Sequence, residues 1–204
     1  MKFPTQLTVL RIILAPLFYT FFTIEPPRYE LAAAIFIVAS VTDWYDGYFA
    51  RKYHLVSRFG TFLDPLADKV LTSIAFIAFA AVGLIPIWAV FVLIIRDVVM
   101  TILRVVADAH NLPVKTNFSA KVKTFLQMSF IVVILLLLIA LQGDFGTGLQ
   151  DLALSINIRE VSYWGILAIV ILTLLTFMQY MYDNAALVRM AVMKYILRRS
   201  VQNS

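Results

Sequence analysis

Cysteine is missing from the 204 residues, which excludes disulfides and thiolate metal sites but leaves the redox compartment open. Charge is scarce: Asp, Glu, Lys and Arg make up 14% of the chain, against 62% hydrophobic residues. Soluble domains use roughly 45 to 50% apolar residues, so the chain reads as a membrane protein. A span takes about 20 apolar residues, and about six of them use up this length, leaving a single domain over residues 1–204. There is no internal repeat, no low-complexity tract and no small-residue cleavage site before Glu25. The apolar stretch after Met1-Lys2-Phe3 is therefore expected to stay as a first span and not to be removed as a signal peptide. The net charge of +5 comes from scattered basic residues, which argues against nucleic acid and for anionic lipid head groups or an anionic substrate.

Six apolar segments read as helices: Leu7 to Ile24, Leu31 to Ala50, Leu63 to Ile85, Ile87 to Ala107, Ser119 to Leu141 and Val161 to Tyr182. Pro26-Pro27 ends the first, Gly83 with Pro86 divides the third from the fourth, and Gly143, Gly146 and Gly148 follow the fifth. Ala186 to Arg199 is expected to be a basic amphipathic helix on the membrane surface. Lys2, Arg51, Lys52, Arg58, Lys115, Lys194, Arg198 and Arg199 fall on one side, and only Arg28 and Arg159 on the other. By the positive-inside rule, both termini and the loop after the second span face the cytosol.

Charges inside spans are expensive and mark function by default. Asp43 and Asp46 lie three apart near the end of the second span, and Asp64 and Asp68 four apart at the start of the third. Each pair shares a helix face. The short connection between the two spans brings both pairs to one depth. Four carboxylates in one small space repel one another unless they are protonated or hold cations. Oxygen-only donors suit Mg2+ or Mn2+, and four can bridge two such ions, a common device for displacement at phosphorus. The competing reading pairs these acids with Arg51, Arg58 and Lys69 at the interface. A cation transporter is a further alternative, but it would be expected to show matching halves, and spans four to six carry no second acidic cluster.

Written out, Asp43-Trp-Tyr-Asp46-Gly47-Tyr-Phe-Ala50-Arg51, eight residues, then Gly60-Thr-Phe-Leu-Asp64-Pro-Leu-Ala-Asp68 resembles the signature of the CDP-alcohol phosphotransferases. The resemblance implies an all-α integral membrane protein of six transmembrane helices, with a polar cavity open to the cytosol, usually as a homodimer. It implies two metal ions, the first on Asp43, Asp46 and Asp64 and the second on Asp43, Asp64 and Asp68. Asp68 would be the base that takes the proton of the attacking hydroxyl, and Thr8, Gly47, Arg51 and Ser57 would contact CDP-diacylglycerol. Pro4-Thr5-Gln6-Leu7-Thr8 with Arg11, Ile95-Arg96-Asp97 with Arg104, and Ser119-Ala-Lys121-Val-Lys123-Thr124 with Gln127 look like segments of phosphatidylglycerophosphate synthases. Cardiolipin synthases of the same superfamily share much of this pattern. Ala120 stands where Gly often precedes the Lys, and Asp97 where Glu is common. The expected location is a bacterial inner (cytoplasmic) membrane.

The acceptor alcohol must be argued from the other buried charges. Arg96 lies deep in the fourth span, Arg104 two turns later, and Lys121 and Lys123 open the fifth. Two or more such cations beside the acidic pairs would suit a phosphate on the acceptor, which favours glycerol 3-phosphate over serine, choline or ethanolamine. Alternatively, Arg96 pairs with Asp97 or an acid of the metal site, and the two lysines snorkel to the interface.

Overall fold

The computed structural model describes residues 3–53, 58–109, 118–143 and 154–185, with side chains described for residues 10–42, 69–105, 107, 122–143 and 154–185. Six long helices account for most of these: α1 (Phe3–Thr23), α2 (Tyr29–Tyr53), α3 (Arg58–Ala81), α4 (Ile87–Ala109), α5 (Phe118–Gln142) and α6 (Ile158–Asp183). No strand occurs among the described residues. Among the described residues two helices are long and apolar enough by themselves to cross a membrane, over Val122–Gln142 and Ile158–Asp183. The expected surface helix at 186–199 and most of the loop 142–160 lie outside the described residues.

The helix ends have local causes. α3 stops at Ala81, four residues before the expected Ile85, because Gly83 takes a positive φ of 74°. Gly83 N–H then donates to Ala80 O at 3.0 Å and Leu84 N–H to Phe79 O at 2.9 Å, the paired bonds of a Schellman ending. α6 begins three residues before the expected Val161, because Asn157 caps it: its side-chain oxygen accepts from Glu160 N–H at 3.4 Å. α1 runs through Pro16, which lacks an N–H. Along α1 and α2 the hydroxyls of Thr20, Thr23, Ser40 and Thr42 each donate to the carbonyl four residues back, at 2.6 to 2.9 Å. Helices that turn their own hydroxyls inward need no water to satisfy them.

α1 packs extensively against both α2 and α3, and among the described residues α2 and α3 meet mainly through it. Phe18, Phe22, Phe36 and Phe79 are buried, with ring centroids 5.2 to 5.8 Å apart along the chain Phe36–Phe18–Phe22–Phe79. Buried Ala15, Ala32, Ala39, Ala75 and Ala78 let the backbones approach. α5 bears on α2, α3 and α6, while α4 bears on α3 and α6. At Gly165 a Cβ would lie 2.5 Å from Phe130 Cε2, so any larger residue there would push the Phe130 ring aside where α6 crosses α5. The surface reverses the rule for water-soluble proteins. Phe125 is 70% exposed and Trp164 64%, while Arg11, Arg96, Lys123 and Gln127 are buried. Apolar side chains outside and charges inside fit a hydrocarbon surround.

Candidate active site

The two acidic pairs lie on the adjoining ends of α2 and α3. Asp43 and Asp46 are ten and seven residues before the end of α2 at Tyr53, and Asp64 and Asp68 are six and ten residues after the start of α3 at Arg58. At 1.5 Å per residue, both pairs stand about 10 to 15 Å along their helices from the connection at 54–57. The four side chains lie outside the described residues. Among the described residues no three His, Asp or Glu side chains gather as metal ligands. Thr8 lies on α1, Gly47 and Arg51 on α2 and Lys121 on the first turn of α5, again with side chains outside those described, and Ser57 lies outside the described residues altogether.

Lys69, next to Asp68, ties this end of α3 to α4. Its Nζ donates to Asp97 O at 2.9 Å and to Thr101 Oγ1 at 2.6 Å. Asp97 is the hub of a buried cluster. Its Oδ1 accepts from Arg96 Nη1 at 2.9 Å and from Lys123 Nζ at 2.6 Å. Arg96 Nη2 donates to Thr176 Oγ1 on α6 at 3.1 Å, and Thr176 donates in turn to Thr173 O at 2.9 Å. Lys123 is 3% exposed and does not snorkel. The alternative pairing of Arg96 with Asp97 is therefore observed, but it does not neutralise the site. Arg96 and Lys123 share the one carboxylate of Asp97, while Lys69 donates to its backbone carbonyl. Two buried cations on one carboxylate keep N–H groups to spare, so the cluster is chemically suited to an anion. Arg104, two turns along α4, is exposed and not buried with Arg96.

A groove of about 460 Å3 between α3 and α4 reaches this cluster, with Val70, Ile74, Val98 and Ile102 on its walls and Lys69, Asp97 and Thr101 among its lining. The polar cluster is thus not sealed. Sequence reasoning missed Thr176 and gave Asp97 no role of its own. Adjacent opposite charges at Arg96-Asp97 in an apolar run could have flagged the second; a single hydroxyl in an apolar helix offers no signal for the first.

Comparison with known proteins gives this arrangement a context. Residues 1–175 match the family pattern of CDP-alcohol phosphatidyltransferase. A relative from Bacillus subtilis (strain 168), named CDP-diacylglycerol--glycerol-3-phosphate 3-phosphatidyltransferase, is 40% identical over 65% of this chain and 76% of its own. A relative of the same name from Rickettsia felis is 34% identical over 79% of this chain and 84% of its own. One from Escherichia coli (strain K12) is 52% identical over a shorter stretch, 36% of this chain and 41% of its own. The match takes in both acidic pairs and the cations of α4 and α5, on a helical protein that exposes apolar and buries charged side chains. The chain belongs to the CDP-alcohol phosphatidyltransferase family.

Proposed function

We propose that this protein transfers the phosphatidyl group of CDP-diacylglycerol to glycerol 3-phosphate, releasing CMP and forming phosphatidylglycerophosphate in phospholipid biosynthesis. The observation that carries the choice of acceptor is the pair of buried cations Arg96 and Lys123 on one carboxylate, near the acidic end of α3. A phosphate on the acceptor supplies the counter-ion that one carboxylate cannot. The names of the relatives agree with this acceptor.

In this reading all six helices span a bacterial inner membrane as a homodimer, with a cavity open to the cytosol and both termini on that side. Asp43, Asp46 and Asp64 would hold one metal ion and Asp43, Asp64 and Asp68 a second; the all-oxygen donor set suits Mg2+ or Mn2+. When bound, such a pair would neutralise phosphate oxygens and stabilise the leaving group. Asp68 accepts the proton of the acceptor hydroxyl as its oxygen bonds to the β-phosphorus. The bond from that phosphorus to the CMP oxygen breaks, with Arg51 beside the departing charge. Thr8, Gly47 and Ser57 contact the CDP-lipid, while Arg96, Lys121 and Lys123, with Arg104 at the exposed edge, draw in the acceptor phosphate.

The test is CMP release by the purified protein with CDP-diacylglycerol and Mg2+, offering glycerol 3-phosphate, phosphatidylglycerol, inositol phosphate, serine or no acceptor. Release with glycerol 3-phosphate alone is expected. Release with phosphatidylglycerol alone would make it a cardiolipin synthase, and another acceptor would replace the substrate while keeping the chemistry. No release with any acceptor would favour a cation transporter.

A further inference from the structure

We propose that Asp97, with Thr176 as its counterpart on α6, is a positioning residue for the acceptor phosphate: the two fix where the guanidinium of Arg96 and the ammonium of Lys123 stand. The inference rests on the reading above, in which those cations receive the acceptor. Asp97 uses one carboxylate oxygen for both, at 2.9 and 2.6 Å, and its carbonyl accepts from Lys69 at 2.9 Å. Thr176 gives its proton to Thr173 O, so its oxygen faces Arg96 as an acceptor. Side chains of α3, α4, α5 and α6 thereby meet at one point.

Long cationic side chains have many rotamers, and ordering them on arrival of a ligand weakens binding. Here the ordering is done beforehand by neighbours that are themselves buried or half-buried. The clamp still leaves donors to spare. A guanidinium terminal nitrogen carries two N–H groups and an ammonium three. Each Arg96 terminal nitrogen and the Lys123 ammonium makes one of the bonds described. The remaining N–H groups of these two cations, which share one carboxylate, are what a phosphate would engage.

The experiment measures KM for glycerol 3-phosphate and for CDP-diacylglycerol separately, on the full-length purified protein with Mg2+. Asp97→Asn keeps the shape and removes the charge. It is expected to raise the acceptor KM about tenfold or more, the scale of a charge-assisted hydrogen bond, with the KM for CDP-diacylglycerol within about twofold. Asp97→Glu should recover most of the loss. Thr176→Val should raise the acceptor KM about three- to tenfold, the scale of a neutral hydrogen bond, and Thr176→Ser should restore it. If Asp97→Asn does not fold, the Thr176 pair carries the same test. Equal rises in both KM values, or no recovery in Asp97→Glu and Thr176→Ser, would make these residues merely structural and overturn the proposal. If Arg96→Ala and Lys123→Met raise the acceptor KM while Asp97→Asn and Thr176→Val do not, the proposal falls alone. If Arg96→Ala and Lys123→Met leave it unchanged, the acceptor reading falls and takes the proposal with it.

Discussion

The bundle has two unlike ends. Near the α1–α2 and α3–α4 turns its interior is largely apolar: Phe18, Phe22, Phe36 and Phe79 stack and alanines fill the gaps. Deeper along α4 and toward the start of α5, the interior holds Arg96, Lys123, Gln127 and the Asp97 carboxylate. The two ends are held by different forces. The apolar end gains from dispersion and close backbone approach, which resist any change of volume. The charged end gains little stability from its charges, because buried charges are poor stabilisers, and in the proposed reading it serves as a ligand site. Substitutions should therefore separate cleanly: those at the apolar end change stability, those at the charged end change substrate use.

The largest effect is expected at the acidic pairs. Asp68→Asn should reduce CMP release by about a thousandfold or more, the scale of losing a base and a metal ligand together, with thermal stability in detergent little changed. Chelation with EDTA should abolish release from the unaltered protein, and Mg2+ or Mn2+ should restore it. Arg96→Ala comes next, raising the acceptor KM by about 10- to 100-fold, as for loss of a charged phosphate contact, with a far smaller effect on the KM for CDP-diacylglycerol. A uniform loss of stability with both KM values unmoved would mean that the charged end is structural too.

At the apolar end, Phe22→Ala should cost about 3 to 5 kcal/mol of stability, as for other large-to-small core changes, and leave both KM values alone. Gly165→Leu should cost about 1 to 3 kcal/mol, because its Cβ would overlap Phe130; melting in detergent checks both. The smallest effect is the one that sharpens the topology. With no native cysteine, His54→Cys and Arg159→Cys should each keep activity, and an impermeant thiol reagent should label them from opposite sides of a sealed membrane. Labelling from the same side would break the proposed six-span arrangement.

Much of this protein is written locally. Apolar runs about one bilayer long, interrupted by Pro26-Pro27 and Gly83, determine the number and order of the helices, since backbone hydrogen bonding inside a helix needs no distant partner. The acidic pairs are legible for the same reason: spacings of three and four place them on one face whatever else the chain does. Several boundaries moved; at two of them the decisive residues act through backbone geometry, the positive φ at Gly83 and the Asn157 cap. The tertiary structure alone decided that Lys123 is buried, that Arg104 is exposed, and that Asp97 serves three cations at once. Arg96 and Thr176 are 80 residues apart. No periodicity links them, and only the packing of α4 against α6 brings a hydroxyl to a guanidinium that would otherwise be buried with one partner fewer.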